Sequence, residues 1–222
     1  ADRTAEPEDI AAWIDSLQSD HRAQRAWATE KLLESGNRGV APLEERLLNV
    51  GLESSIRGLD ILRTLALREI SGPSAAESAI RRLADNPVAA SSRRAQDVLK
   101  SIVRERTVRA EKMLGQLGVE FAMTSVSTNV YSYAVPKIRT VTFAERWHGE
   151  INDLIYLRWL AAESEVAIEA SGSKIDNQWL TSVSEIENVV SLKLGRCSIT
   201  DAGMSTIKDM RRLRDIRIYY TD

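Results

Sequence analysis

The sequence predicts an α+β repeat protein, with an N-terminal α-helical solenoid followed by an α/β solenoid that carries a short parallel sheet. Apolar residues recur at helical spacing from Glu8 to about Leu117, interrupted by Gly, Pro and Asn about every 12 to 18 residues. From Ile175 onward the apolar positions repeat instead at a fixed interval of 24 residues. No apolar run approaches the roughly 18 residues needed to span a bilayer, so membrane insertion is not expected.

The composition indicates a globular chain without a strong charge bias. Of the 222 residues, 43% are hydrophobic and 28% are charged, and 30 Lys and Arg face 32 Asp and Glu, for a net charge of −2. This balance argues against nonspecific binding to nucleic acid or to anionic membranes. The single cysteine, Cys197, excludes an internal disulfide and any cysteine-rich metal site.

The first half of the chain is predicted to form short amphipathic helices joined by tight turns. Stop signals stand at Ser35-Gly36-Asn37, Asn49-Val50-Gly51, 71–74 and Asp85-Asn86-Pro87. The inward positions of the successive helices are Ile10, Trp13, Ile14 and Leu17; Ala26, Leu32 and Leu33; Leu43, Leu47 and Leu48; Ile56, Leu59, Leu62 and Leu65; Ile80 and Leu83; and Ala95, Val98, Leu99, Ile102, Met113, Leu114 and Leu117.

These helices repeat imprecisely in pairs. Leu17, Leu47 and Leu83 occupy corresponding positions on the first helices of successive pairs, at steps of 30 and 36 residues. The pattern resembles HEAT-type repeats, in which each helix pair hides its apolar face by stacking on its neighbours. The resemblance implies a HEAT-like domain over residues 1–118.

The second half repeats with a constant period. Residues 24 apart match at every inward position, namely Ile175 and Ile199, Leu180 and Met204, Val183 and Ile207, Ile186 and Met210, Val189 and Leu213, Leu192 and Ile216, and Leu194 and Ile218. A further step of 24 backward gives Ile151, Tyr156, Trp159, Ala162 and Ile168. This extension predicts an earlier, degenerate repeat.

The segment from Val189 to Met204 resembles a leucine-rich repeat of the cysteine type, with the consensus L-x-x-L-x-L-x-x-C-x-I-T-D-x-G-L and Met204 in the last leucine position. The resemblance implies a strand at L-x-L, an inward turn at Cys197, and a helix capped by Thr200 and Asp201. Ser173 and Thr221 take the cysteine position in the flanking repeats. Leucine-rich repeats are therefore predicted over residues 119–222.

Residues 119–143 are rich in Ser, Thr, Val and Tyr and lack helical periodicity. They predict a connecting strand or ordered loop that serves as an N-terminal cap of the leucine-rich array. Because the sequence stops at Asp222, directly after a predicted strand, we expect either a longer protein or a partner covering that strand. Such combined arrays resemble large exported or envelope-associated bacterial proteins.

No catalytic, cofactor or metal site is predicted. His148 stands near Glu150, which leaves a hydrolase open, but a solvent-exposed turn is the preferred interpretation for both His148 and His21. Cys197 is explained by the repeat consensus. Asp176 and Asp201 are explained by helix capping. Packing is predicted for Trp13, Trp159 and Trp179, while Trp27 and Trp147 remain open as stacking platforms.

A basic stretch provides the alternative function. Residues 93–112 hold seven basic side chains, on a face of the kind that grips nucleic-acid backbones in some helical repeat proteins. A solvated helix face is preferred, since Glu105 and Arg109 form an i to i+4 pair. The basic positions are Arg93, Arg94, Lys100, Arg104, Arg106, Arg109 and Lys112.

The leading hypothesis is a non-enzymatic scaffold that binds another protein. In a leucine-rich solenoid the residues between the inward strand positions line the concave sheet, so Glu169, Lys193 and Arg217 should lie side by side about 5 Å apart. Tyr and Arg are enriched at protein interfaces. The predicted contact residues are Glu169, Lys193, Arg196, Arg217, Tyr219 and Tyr220.

Overall fold

The structure, a computed structural model, describes residues 6–48, 52–70, 72, 74–87, 91–125 and 137–219. These residues form a mixed α/β protein with a five-stranded sheet. The chain falls into two compact units, residues 1–102 and 103–222, and each unit is described by itself.

The first unit is helical. It comprises α1 (Pro7–Ser16), α2 (Arg22–Ser35), a short 3-10 turn (Gly36–Gly39), α3 (Val40–Leu48), α4 (Leu52–Arg68), α5 (Ala75–Asp85) and the first part of α6 (Ser92–Gln116). The helices predicted from the apolar spacing are thereby confirmed. The stop predicted at residues 49–51 lies outside the described residues, as do positions 71 and 73 of the stop at 71–74.

Local sequence explains where these helices begin and end. The Ser74 hydroxyl accepts a hydrogen bond from the Glu77 backbone N–H at 3.0 Å, which caps α5. Gly36, with φ +57°, ends α2 in the left-handed conformation that the stop signal predicts. The apolar faces then meet in one core, in which Leu32, Leu59 and Ile80 are fully buried.

The second unit combines the rest of α6 with the sheet and its helices. Its elements are β1 (Glu120–Ser125), β2 (Lys137–Phe143), a 3-10 turn (Ile151–Asp153), α7 (Leu154–Glu163), β3 (Val166–Asp176), α8 (Asn177–Ser184), β4 (Val189–Ser198), α9 (Asp201–Met204), a 3-10 turn (Ser205–Asp209) and β5 (Asp215–Tyr219). The strand order is β1-β2-β3-β4-β5. β1 runs antiparallel to β2, and the other neighbours are parallel. The strands predicted within 119–143 are present as β1 and β2.

The 24-residue period appears in the strand register. Ile168 pairs with Leu192, and Leu192 pairs with Ile216, each 24 residues further along the chain. The step from β2 to β3 is longer, because Val141 pairs with Ile168, a difference of 27. Extension of the period backward by 24 is therefore displaced by three residues. The segment after β2 takes up the difference, since it turns Trp147 into the core.

Burial falls off at the last strand. Leu192 and Leu194 in β4 are 0% exposed, whereas the equivalent Ile216 and Ile218 in β5 are 41% and 38% exposed. Among the described residues, β5 pairs with β4 on one side only. The inward side chains of β5 thus retain the repeat pattern without its full burial.

A side-chain ladder connects the turns after β3 and β4. The Asn177 amide donates to the Thr200 hydroxyl at 2.9 Å, and its oxygen accepts from the Thr200 backbone N–H at 3.0 Å. Gly203 leaves room for Asn177, because a Cβ at Gly203 would lie 2.2 Å from the Asn177 Oδ1. This contact explains the glycine of the I-T-D-x-G motif.

Candidate partner-binding surface

Three of the predicted contact residues form one line across the sheet. Strand alternation places Ile168, Leu192 and Ile216 on the core side. The next residue of each strand faces outward, and Glu169 pairs with Lys193, which pairs with Arg217. We call these three residues the charged row. Adjacent strands lie about 4.8 Å apart, so the row presents its side chains at that spacing.

Short polar contacts hold the charged row in place. Lys193 Nζ lies 2.5 Å from Glu169 Oε1, with both side chains about two-fifths exposed (38% and 41%). Arg217 Nε lies 3.5 Å from Asp215, whose carboxylate also accepts a hydrogen bond from the Ser191 hydroxyl at 3.2 Å. Exposed pairs of this kind contribute about 0–1 kcal/mol each. The row is ordered locally, but the fold does not depend on it.

Arg217 and Tyr219 give the row a cationic and aromatic end. The negative charge of Asp215, and then interaction with the Tyr219 side chain, raise the pKa of Arg217 above its ordinary value. The guanidinium therefore stays charged at every pH at which the protein is folded. Tyr219 is 49% exposed. Tyr220, also predicted as a contact residue, lies outside the described residues.

Beyond the row the sheet surface is low. Ser171 pairs with Gly195, which pairs with Tyr219. A Cβ placed on Gly195 would have only the Tyr219 carbonyl oxygen within 4 Å, at 3.9 Å. The neighbouring Arg196 is exposed and has φ 54°. Arg196 was singled out from the sequence as a flanking residue, but its left-handed backbone was not foreseen.

Cys197 lies on the core side of β4 and is 3% exposed. Its Sγ lies 3.3 Å from the Gly195 carbonyl oxygen and 3.4 Å from that of Ala170, both within reach of the thiol donor. Burial raises the pKa of the Cys197 thiol, and the backbone contacts only partly offset this. The thiol position predicted from the repeat consensus is thus a structural one.

We expect native Cys197 to resist thiol reagents. Its raised pKa keeps the sulfur protonated, and burial excludes the reagent. Alkylation by iodoacetamide near pH 8 should be slow in buffer and fast in denaturant, as read by mass spectrometry. Because the folded pKa exceeds the unfolded one, the thiol's contribution to stability should be complete at neutral pH and decline as the pH rises through the unfolded and then the folded pKa. Equal alkylation rates in both conditions would contradict this.

The other residues considered for catalysis lie apart from the row. His148 is exposed, with Nδ1 3.1 Å from the Arg146 carbonyl oxygen, and His21 is exposed at the start of α2. Asp176 caps α8 by accepting from the Trp179 backbone N–H at 2.9 Å. Asp201 is exposed in the first turn of α9. Each of these positions has a local structural explanation.

The tryptophans divide as follows. Trp159 and Trp179 are buried, in agreement with the packing prediction, and so is Trp147, which the sequence left open. Trp13 is half-buried and meets the ring of Trp27 edge to face at 6.4 Å. Trp27 is 49% exposed and remains the tryptophan available for stacking.

Part of the basic stretch 93–112 is used within the second unit. The guanidinium carbons of Arg106 and Arg109 lie 5.6 and 5.9 Å from the Trp159 ring centre. Such cation–π contacts occupy the cationic groups that a nucleic-acid backbone would need. Lys100 also lies 3.8 Å from Asp97. Arg93, Arg94, Arg104 and Lys112 are exposed.

Neither a metal-binding cluster nor a spanning helix occurs in the described ranges. Within them, no group of three or more His, Cys, Asp or Glu side chains is placed to hold a metal ion. Over the same part of the chain, no helix combines the length and apolar character that crossing a membrane requires. No family model, curated protein or solved structure matches this chain.

Proposed function

We propose that the chain is a non-enzymatic scaffold that binds another protein through the charged row and Tyr219. The observation that carries the proposal is the register of β3, β4 and β5. It places Glu169, Lys193 and Arg217 side by side on the outer face of the sheet. Charged and aromatic side chains held on a sheet suit recognition of a partner surface, because little ordering is required on binding.

We further propose that the second unit is built from leucine-rich repeats of the cysteine type. Three observations support this: the 24-residue step between paired strands, the buried thiol of Cys197, and the ladder from Asn177 to Thr200. Each unit of strand and helix hides its apolar face against the next one.

For the first unit we propose HEAT-like repeats. The support is the order of short helices and their shared core, in which α1 packs on α2 and α4 packs on α5. Arg57, on α4, also donates to the Leu17 carbonyl oxygen at 3.0 Å, which ties two predicted repeats together. Repeat arrays of both kinds serve as extended binding surfaces.

A matched pair of double variants tests the scaffold. Arg217→Ala with Tyr219→Ala removes exposed side chains from the row, and Lys208→Ala with Arg211→Ala removes exposed cations from the segment before β5. Short peptides are first selected from a random display library on the immobilised wild-type chain. Their affinities for each variant are then measured by titration calorimetry.

We expect the row variant to bind the selected peptides about 30-fold more weakly, since a hot spot contributes about 2 kcal/mol. The control variant should bind within about twofold of the wild type, because isolated exposed residues outside an interface contribute little. The proposal fails if the row variant binds as tightly as the wild type, or if the library yields no peptide that binds above an unrelated protein.

A further inference from the structure

Arg196 is a bulge residue in β4. Ser171 of β3 pairs with Gly195, and the next residue, Gly172, pairs with Cys197, so Arg196 is passed over in the ladder. Its φ of 54° is in the left-handed region. An extra residue of this kind bends the strand and redirects its side chain, and bulges occur frequently beside functional sites.

The repeat shows which residue this position favours. Gly172 lies 24 residues earlier and has φ +111°, so both repeats turn left-handed at the same place. Glycine adopts such angles without steric conflict, whereas a residue with a Cβ does not. The next position at this spacing, Tyr220, lies outside the described residues. Arginine thus stands where the backbone favours glycine.

No structural contact of the side chain accounts for the arginine. Arg196 is exposed, and it makes no ion pair or hydrogen bond with any residue that the structure describes. The bulge itself is supported by its neighbour, since Cys197 Sγ reaches across it to the Gly195 carbonyl oxygen. Backbone strain that the fold does not use is the kind retained for function.

The charges nearby indicate what Arg196 would bind. Lys193 and Arg217 already have Glu169 and Asp215 as partners. Lys174, in the irregular part of β3 opposite Cys197 and Ser198, is exposed and, like Arg196, has no ion pair among the described residues. One acid on this side of the sheet, Glu145, is similarly unpaired there; its Cα lies 4.0 Å from a Cβ built on Gly172. Two cations against one anion leave an excess of positive charge.

We propose that Arg196 determines partner specificity by binding a carboxylate of an extended acidic segment in the partner protein, while Lys174 binds a second carboxylate. The proposal rests on the scaffold function and assigns the chemistry of the partner. A guanidinium suits this role because it donates two parallel hydrogen bonds to one carboxylate. Gly195 and Ser171 leave the surface beside Arg196 low enough for a main chain to approach.

The probe is a fluorescein-labelled peptide of alternating glutamate and serine, compared with one of alternating lysine and serine. Binding to the full chain is measured by fluorescence anisotropy at low and at physiological salt. Arg196→Gly and Arg196→Asn remove the charge while suiting a left-handed backbone. Arg211→Ala removes one positive charge from the turn before β5 and serves as the control.

We expect the wild type to bind the glutamate peptide and not the lysine peptide. Arg196→Gly and Arg196→Asn should weaken that binding about tenfold, and Arg211→Ala should change it by less than about twofold. The unfolding temperature of Arg196→Gly should rise, because strain is relieved and no contact is lost. Loss of affinity with a gain in stability would separate a recognition role from a structural one.

The inference is overturned if both Arg196 variants bind the glutamate peptide as the wild type does, or if the wild type prefers the lysine peptide or a duplex RNA. A fall in unfolding temperature for Arg196→Gly would overturn it as well, since Arg196 would then support the fold. Failure of the scaffold has a different result. In that case the Arg217 and Tyr219 double variant leaves the selected peptides bound, whatever the Arg196 variants do.

Discussion

Replacement of Trp179 by alanine is expected to lower the free energy of unfolding by about 3–5 kcal/mol. Trp179 on α8 is 0% exposed, and its ring meets Phe143 at 5.4 Å with the planes 77° apart. Phe143 meets Trp147 in the same edge-to-face manner, at 5.4 Å. Alanine would leave a large cavity between the sheet and its helix and remove one of these ring contacts.

Urea unfolding followed by circular dichroism measures this effect without relying on tryptophan emission, which the substitution itself changes. Trp179→Phe is the matched control. Trp179 Nε1 is buried without a hydrogen-bond partner in the described part of the chain, so phenylalanine loses no such bond and keeps a ring against Phe143. We expect it to cost about 1–2 kcal/mol. Equal destabilisation by the two substitutions would show that the ring contact with Phe143 contributes little.

The strands of the second unit could be predicted from sequence because their side chains alternate. Leu192 and Ile216 were placed on adjacent parallel strands from the 24-residue spacing alone, and the observed pairing confirms this. The same spacing extended backward missed the longer step from β2 to β3. Pattern matching has no means of knowing that Trp147 turns inward, since a tryptophan in a polar loop gives no periodic signal.

The candidate surface was predictable to the same extent. Alternation assigns Glu169, Lys193 and Arg217 to one face, and the strand register places them in one line. Sequence does not report φ, so the left-handed conformation of Arg196 was missed. A comparison of positions 172 and 196 could have raised the question, because glycine in one repeat and arginine in the next is an unusual exchange.

The turn after α6 shows the same limit on the side of stability. The helix ends at Gln116, Gly118 has φ +88°, and the Val119 backbone N–H donates to the Leu114 carbonyl oxygen at 3.0 Å. This is the glycine-dependent helix end known as a Schellman motif, with Leu114 and Val119 both buried. The position needs glycine for its backbone angle before any packing is considered.

Packing adds a second requirement at Gly118. A Cβ there would lie 2.3 Å from the Arg146 carbonyl oxygen, which is backbone and cannot rotate away. The same approach is held by a hydrogen bond of 3.0 Å from the His148 backbone N–H to the Leu117 carbonyl oxygen. Gly118→Ala therefore forces the segment after β2 away from the end of α6.

We expect Gly118→Ala to destabilise the protein by about 3 kcal/mol, from the unfavourable φ and the displaced segment together. Gly115→Ala, three residues earlier, is the matched control. Its Cβ would meet only Phe121, at 4.0 Å, and Gly115 lies within α6. Alanine there should stabilise the protein by about 0.5 kcal/mol through helix propensity.

Thermal and urea unfolding of the two variants should thus shift in opposite directions. The sequence presents Gly115 and Gly118 as two glycines near a helix end, and nothing in their spacing distinguishes them. Their difference arises from the left-handed angle at Gly118 and from the Arg146 carbonyl beside it. Destabilisation of similar size by both substitutions would mean that the end of α6 is not closed by this contact, and that the path of the chain into β1 is held by other interactions.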